Sequence, residues 1–499
     1  MIMSQLSVSP YIYLDKNDSE KVVLYASKSH NDLPMRSAIA EAIKRYPDLI
    51  VERVDLETLK ELQNKDKELR KEVENRSFSA EQEQIIGLFR EAKKLNASDI
   101  HLLIGMNGVT IVEFRVHGDL EQARHLDLEE GKSLASTIIM SMCDMADPSF
   151  YPNREQDARL RKEFLQNIPL FGARYAHRPA EFGLYVVLRI IPDEGNELLS
   201  LEKSGFLHEQ QVLIRRMLTR PEGVITISGP TGSGKSTTLR TFSSIYLEFT
   251  GNRKRLLTLE DPPEGLIPGA VQTAIIADRS DPDAVSHAWV RAISASLRLD
   301  PDSMIVGEMR DANSVKSTQT AAKTGHLVLT TLHANDGVGI LDRLTDTLDI
   351  PMSQVADPQV MIGLIAQRLV QELCPKCKKS WGDMNGLLPE ESVTLLKKFC
   401  DVEKLYFRNQ IGCENCHKGV VGRRIIAEVI RPDVRFMELF RYKGKLAARS
   451  YWVNELGGIT RLQHLMRHIH DGVVDPIDAD RICPLDEDSL TLLPSGEVV

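Results

Sequence analysis

A chain of 499 residues exceeds what one ordinary core holds and suggests about three domains. Hydrophobic residues at 42% and charged residues at 27% exclude global disorder, and a formal net charge of −9 argues against a protein whose main task is coating nucleic acid. No window approaches the roughly eighteen uninterrupted apolar residues of a membrane span, and Met1 to Pro10 lacks a charged-then-apolar leader, so a cytoplasmic location is expected.

Short β-like runs at Tyr11 to Leu14, Lys21 to Tyr25 and Leu49 to Val54, with an amphipathic stretch at Met35 to Tyr46, predict a small N-terminal α+β domain over 1–78. Such a domain suits docking to a partner. Leu56 to Ser79 is dense in Glu and Lys and reads as an exposed helix or linker. A helix at Ala80 to Leu95 and strands at Val109 to Phe114, Leu170 to His177 and Leu184 to Ile191 predict a second α/β domain over 79–192. Asp193 to Gly205, polar and directly after Pro192, reads as a hinge linker.

The pattern then becomes helix His208 to Leu218, strand Val224 to Ser228, helix Ser236 to Tyr246, strand Arg255 to Leu259, helix Ala284 to Leu297, strand Ser303 to Val306, helix Ser314 to Lys323 and strand His326 to Leu332. Strands alternating with helices predict a mainly parallel sheet covered on both faces, with ligands at the carboxyl ends of its strands. Val360 to Leu373 reads as a further helical stretch closing a catalytic core over 206–373. A metal subdomain over 374–425, a helical extension over 426–475 and a loose tail over 476–499 follow.

Gly229-Pro230-Thr231-Gly232-Ser233-Gly234-Lys235-Ser236-Thr237 fits G-x-x-x-x-G-K-[ST] between a strand and a helix, where a phosphate-binding loop must lie. The glycines turn backbone N–H groups inward, Lys235 can reach β- and γ-phosphates, and the Ser236 hydroxyl can ligate Mg²⁺. Glu260 is a candidate to orient or deprotonate water, Glu308 to act near Mg²⁺, and His333, or otherwise His326, to contact the γ-phosphate. The plain alternative is that Glu260 caps a turn and the histidines are satisfied core residues.

Four of the seven cysteines form two C-x-x-C pairs, Cys374/Cys377 and Cys413/Cys416, with 35 residues (378–412) between them. In a reducing compartment this reads as a closed, structural Zn²⁺ site stapling a small subdomain. A nucleic-acid-binding zinc ribbon is the rival, but the segment lacks interleaved aromatics and dense Lys/Arg.

Beyond the loop stand Ala97-Ser98-Asp99-Ile100-His101, Gln156-Asp157-Ala158-Arg159, Leu257-Thr258-Leu259-Glu260-Asp261-Pro262-Pro263-Glu264 and Gly307-Glu308-Met309-Arg310-Asp311. The series continues through Thr324 to Asn335, Gln367-Arg368-Leu369, the cysteine pairs and Gly422-Arg423-Arg424. In these motifs, over roughly Ala80 to His470, the chain resembles the secretion ATPase superfamily of type II secretion and type IV pilus assembly, in its general-secretory-pathway E and pilus-assembly B branch. The resemblance implies a RecA-like catalytic domain, a PAS-like second domain and a homohexamer using ATP and Mg²⁺. It further implies work on an inner-membrane platform protein and associated cytoplasmic-side assembly proteins, peripheral association with that membrane, and no direct nucleic acid. It makes Arg174 and Arg189 the arginines that reach phosphate across the domain interface, and the tetracysteine site a mark of assembly rather than retraction motors. Arg291 and Arg298 could serve a neighbouring subunit or lie on a solvated face. Two departures are visible: Arg115-Val116-His117-Gly118 stands where the family usually has Arg-x-Asp-Gly, and Ala158 replaces a usual glycine. A conjugation-type DNA motor and a nucleotide-gated docking protein without turnover are the competing functions.

Overall fold

The computed structural model describes residues 12–16, 22–28, 39, 42–43, 49–55, 58, 78–144, 149–165, 167–193, 200–277 and 281–492. The chain divides into two compact units, Met1–Glu83 and Gln84–Val499. In the first, β1 (Ile12–Lys16) pairs antiparallel with β2 (Val22–Ser27), which pairs parallel with β3 (Ile50–Val54). Of the expected amphipathic helix Met35 to Tyr46, Ile39, Ala42 and Ile43 are described and helical, and Ala42 is fully buried. The rest of it, and most of Leu56 to Ser79, lies outside the described residues.

Helix α1 (Ala80–Lys94) contains the division and buries Ile85, Leu88, Phe89 and Ala92 on one stripe. Beyond it an antiparallel seven-stranded sheet runs in the order β6-β5-β4-β10-β9-β8-β7. Its strands are β4 (Ala97–Ile104), β5 (Thr110–Val116), β6 (Asp119–Leu126), β7 (Cys143–Asp144), β8 (Gln156–Leu160), β9 (Leu170–Ala180) and β10 (Gly183–Pro192). Helix α2 (Leu128–Thr137) packs on β4 and β5. β6 and β8 are too polar to announce themselves as strands.

The second sheet, that of the larger α/β core, runs in the order β13-β12-β14-β15-β11-β16-β19. β11 (Gly223–Ser228), β12 (Leu256–Glu260), β13 (Val271–Ala274), β14 (Ser303–Val306), β15 (Leu327–Leu332) and the start of β16 (Met361–Leu373) run parallel, and β19 (Val420–Ile430) returns antiparallel at the edge. Helices α3 (His208–Leu218), α4 (Lys235–Phe249), α5 (Pro282–Ser296) and α6 (Ala312–Lys323) cover it. One apolar layer gathers Phe206, Ile214 and Phe242, and the other Trp289, Phe436 and Trp452. With helices on both faces, every residue of β11 and β15 is buried.

The expected helix at Val360 to Leu373 is instead strand β16. Its apolar run, with Leu, Ala, Gln and Glu, fits either period, and such runs are not separable by pattern alone. A slot between β11 and β19 decides the outcome, since Met361 to Gln367 are all buried there.

β17 (Lys379–Ser380), β18 (Tyr406–Phe407) and helix α7 (Glu390–Phe399) make up a lobe between β16 and β19. Helices α8 (Val434–Lys443), α9 (Lys445–Asn454) and α10 (Arg461–His470) follow, as the sequence suggests. The tail from Pro476 is not loose where it is described: Pro476–Asp480 and Glu487–Thr491 are helical turns, and Ala479, Cys483 and Leu485 are buried against Trp381, Phe407 and Ile469. Apolar residues spaced among acids mask that packing in the sequence. Of the expected hinge, 194–199 lies outside the described residues, and Leu201–Ser204 forms a helical turn ending at Gly205.

Candidate functional site

The phosphate-binding sequence leaves β11 at Ser228 and enters α4 at Lys235. Gly229, Gly232 and Gly234 have φ of 149°, 77° and 83°, the left-handed region that side chains resist. At Gly229 a Cβ would also stand 2.3 Å from the Gln367 carbonyl oxygen, so only glycine fits. Gln367 braces the loop from β16: its Nε2 donates to the Ser233 carbonyl at 2.7 Å and its Oε1 accepts from the Thr238 hydroxyl at 2.9 Å. Lys235 Nζ donates to the carbonyls of Gly229 and Pro230 at 2.8 and 2.9 Å. Burial lowers its pKa, opposed by the nearby Glu308 and Glu264 carboxylates.

Because β14 lies between β12 and β15, side chains at the three carboxyl ends converge. Glu260 ends β12, Glu308 follows β14 by two residues, and His333 follows β15. Glu308 Oε1 lies 3.2 Å from His333 Nε2, and its Oε2 accepts from Arg310 Nε at 2.8 Å. Arg310 also reaches Asp261 at 3.4 Å. Glu260 Oε1 accepts from the Thr258 hydroxyl at 2.6 Å and Gln272 Nε2 at 3.1 Å, which fixes its carboxylate. His326 sits at the opposite end of β15, its Nδ1 3.0 Å from the Ala321 carbonyl, away from this cluster.

The antiparallel sheet contributes a row of charge across four strands. Arg174 on β9 stands opposite Arg189 on β10, Arg189 opposite Asp99 on β4, and Asp99 opposite Arg115 on β5. Arg189 Nε donates to Asp99 at 3.1 Å. Arg174 crosses to the second sheet's α/β core, donating to the Asp261 and Pro262 carbonyls at 3.3 and 3.2 Å and pairing with Glu264 at 3.1 Å. A cleft of about 860 Å³ is shared by Arg115, Arg174, Arg189, Thr231 to Thr237, Glu260, Glu308 and His333, within the size range of small-molecule sites. Gly229 faces an adjoining hollow of about 480 Å³ with His333 and Asp336. Arg291 and Arg298 are exposed and are not among the residues lining the cleft.

Of the sequence departures, His117 and Gly118 form the β5–β6 turn, where Arg115 Nη1 donates to the Gly118 carbonyl at 2.9 Å, and Arg115 keeps its place opposite Asp99. The sequence reading assigned no role to Gln367, Arg310 or Arg240, which also lines the cleft. Arg310 carries a usable signal, a cation two residues after the strand-end acid. Gln367 carries none, because its task depends on β16 lying beside the loop.

The sulfurs of Cys374, Cys377, Cys413 and Cys416 lie within 4.8 Å of one another. Neighbouring pairs are 3.6 to 3.7 Å apart. A thiolate–zinc bond of about 2.3 Å places tetrahedral sulfurs about 3.8 Å apart, so four soft donors gathered this closely fit Zn²⁺. The Cys413 N–H donates to Cys416 Sγ at 3.2 Å, and the Cys374 N–H to the Gly419 carbonyl at 2.8 Å, so each knuckle is held by backbone. From this lobe Arg408 reaches Asp119 at 3.1 Å, and Lys418 and His417 reach Glu121 at 3.1 and 2.8 Å, tying it to the β6 end of the antiparallel sheet.

Among the described residues no helix is long and apolar enough to cross a membrane. The type II/IV secretion system protein family matches residues 75–472. The chain is 32% identical over 401 residues to type II secretion system ATPase E of Vibrio cholerae, covering 77% of this chain and 74% of that protein. It is 31% identical over 405 residues to type IV pilus assembly ATPase PilB of Thermus thermophilus, covering 78% of this chain and 43% of that one. The fold is shared with the pilus retraction motor PilT bound to ADP (TM-score 0.52, 23% identity, 80% of this chain and 97% of PilT) and with Yersinia pseudotuberculosis DotB (TM-score 0.53, 20% identity, 82% and 95%). A glycine-rich loop sharing a cleft with strand-end acids, a second sheet contributing arginines and a match running from residue 75 to 472 agree: the chain belongs to the type II/IV secretion system protein family.

Proposed function

We propose that this protein is a hexameric, Mg²⁺-dependent ATPase that powers type IV pilin assembly through an inner-membrane platform protein. One observation carries the reading: Arg174 and Arg189, from one sheet, share a cleft with Lys235, Glu260, Glu308 and His333, from another. The loop N–H groups and Lys235 would hold phosphate oxygens, and Ser236 and Glu308 offer the hard oxygen donors Mg²⁺ requires. Bound there, the ion would offset charge on the β- and γ-phosphates. Glu260, oriented by Thr258 and Gln272, would position water, and His333 would contact the γ-phosphate while paired to Glu308. Arg174 and Arg189 would offer guanidinium forks from the opposite wall, so the cleft binds phosphate best when the two sheets are together. Differential affinity of this kind is what converts nucleotide turnover into domain movement.

Driving a type II secretion pseudopilus is the alternative, since relatives of both kinds are similar to this chain, at 32% and 31% identity. A DNA motor has less support, since the net charge is −9. Phosphate release by the full chain, with Lys235→Ala and Glu308→Gln beside it, tests the catalytic reading; unchanged rates in both variants would sink it. Co-purification of the full chain with a pilus or a secretion platform protein decides between the two uses, and a chain that stays monomeric in sedimentation with a non-hydrolysable nucleotide would contradict the hexamer.

A further inference from the structure

The loop after His333 is held by charges from the far end of the sequence. The Asn335 carbonyl accepts from Arg461 Nη1 at 2.7 Å, the Gly337 N–H donates to Glu428 Oε2 at 2.9 Å, and Asp336 pairs with Lys445 at 2.5 Å while accepting from the Gly339 N–H at 2.8 Å. Glu428 lies on β19, Lys445 opens α9 and Arg461 opens α10. Glu428, Arg449 and Arg461 are 0%, 3% and 4% exposed, and a charge at that depth is strongly destabilising unless it is paired. Arg449 pairs with Glu428 at 2.7 Å. Arg461 pairs with Glu487, and Asp488 accepts from the Thr460 hydroxyl at 2.6 Å and stands 3.9 Å from Arg449. Buried Cys483 and Leu485 anchor this segment, and Cys483 Sγ donates to Glu487 at 2.8 Å.

We propose that Glu487 and Asp488 are positioning residues for His333, acting through Arg461, Arg449 and Glu428 on the loop 334–339. The proposal rests on the reading of His333 as the γ-phosphate contact. Without the Glu487 charge, Arg461 is drawn toward Glu428 or solvent, its bond to the Asn335 carbonyl is lost, and the imidazole two residues upstream is no longer set against Glu308. The tail thereby becomes part of the nucleotide site without touching it.

The test uses the full chain as wild type, Glu487→Gln, Glu487→Asp, His333→Ala, the double variant Glu487→Gln/His333→Ala, and Ile214→Ala, a packing change in α3 outside the network. Hydrogen exchange of residues 334–339 and the steady-state ATPase constants are measured. Glu487→Gln should speed exchange in that loop and lower kcat, each by about tenfold, with KM for ATP within about twofold. Glu487→Asp should recover part of both, Ile214→Ala should change neither, and the double variant should turn over no more slowly than His333→Ala alone. Wild-type loop exchange in Glu487→Gln overturns the clamp, as does the same acceleration in Ile214→Ala. Multiplicative losses in the double variant overturn the action through His333. Exchange needs no turnover, so a wild type that failed to hydrolyse ATP would defeat the functional reading while the loop data still judged the clamp.

Discussion

Arg174 on the antiparallel sheet pairs with Glu264, which follows β12 of the second sheet, at 3.1 Å, and both line the cleft that the glycine-rich loop Thr231 to Thr237 shares. A nucleotide phosphate would compete with that carboxylate for the same guanidinium. Replacing Arg174 by Ala should lower kcat/KM for ATP by about 10²-fold, with Lys restoring little because it lacks the fork. Steady-state kinetics of both variants check this, and full rescue by Lys would contradict it.

Removing the Gln367 amide leaves the Ser233 carbonyl and Thr238 hydroxyl without that partner in a buried place. Gln367→Ala should cost about 1–3 kcal/mol of stability and weaken ADP binding by about tenfold. Calorimetric titration with ADP reads the second effect, and unchanged affinity in a destabilised variant would reduce Gln367 to a packing residue.

The tetracysteine cluster should hold a single zinc per chain, read by elemental analysis. Cys377→Ser or chelation should expose 374–419 to protease and lower the melting temperature, because three thiolates no longer close the knuckles. The large sheet has its own apolar layers, around Phe242 on one face and Trp289 on the other, so it should keep its fold. Unaltered proteolysis after verified metal loss would refute a stapling role.

Stability should fall on mild acidification. Burial and the neighbouring His468 push the His464 imidazole down to about 3, and burial and Arg424 lower His468. Below the ordinary value of 6.5 the unfolded imidazoles take up protons that the folded ones refuse, so stability drops as pH falls, by about 1.4 kcal/mol per pH unit for His464 between 6.5 and its folded value near 3, with His468 adding in the same direction. Asp475, raised to about 6 by burial, works the other way between 6 and 3.8 and offsets the His464 slope there, so the fall from His464 is steepest between about 6.5 and 6 and below 6 it is His468 that keeps the sign. Thermal melts from about pH 7.5 to about pH 5 check the slope, which His464→Gln should flatten. His464 accepts from the Ala427 N–H at 3.0 Å and lies 2.9 Å from the Gly205 carbonyl, so its protonation would be felt at the end of the helical turn Leu201–Ser204.

What the sequence made legible was sequential: a loop after a strand, an acid ending a strand, paired cysteines. Glu260, Glu308 and His333 sit at or just past strand ends and Lys235 at the loop–helix junction, places that residues on either side announce. What it concealed was lateral. That Arg174 and Arg189 are cross-strand partners depends on β9–β10 register, and that Gln367 faces Ser233 depends on β16 lying beside β11. The strand β16 was hidden because its apolar run fits two periods, and the tail because its few apolar anchors, Cys483 and Leu485, are dispersed among acids.

β16 has one further consequence. Gln367 and Leu373 lie on the same unbroken strand, and Cys374 follows at once, so about 23 Å of backbone at roughly 3.3 Å per residue separates the brace of the glycine-rich loop from the first cysteine. The strand is a ruler between the two. Inserting or deleting a single residue after Gln367 would turn the following side chains to the other face and carry Cys374 out of reach of its partners, so length variation among relatives should fall in the loops and spare this interval.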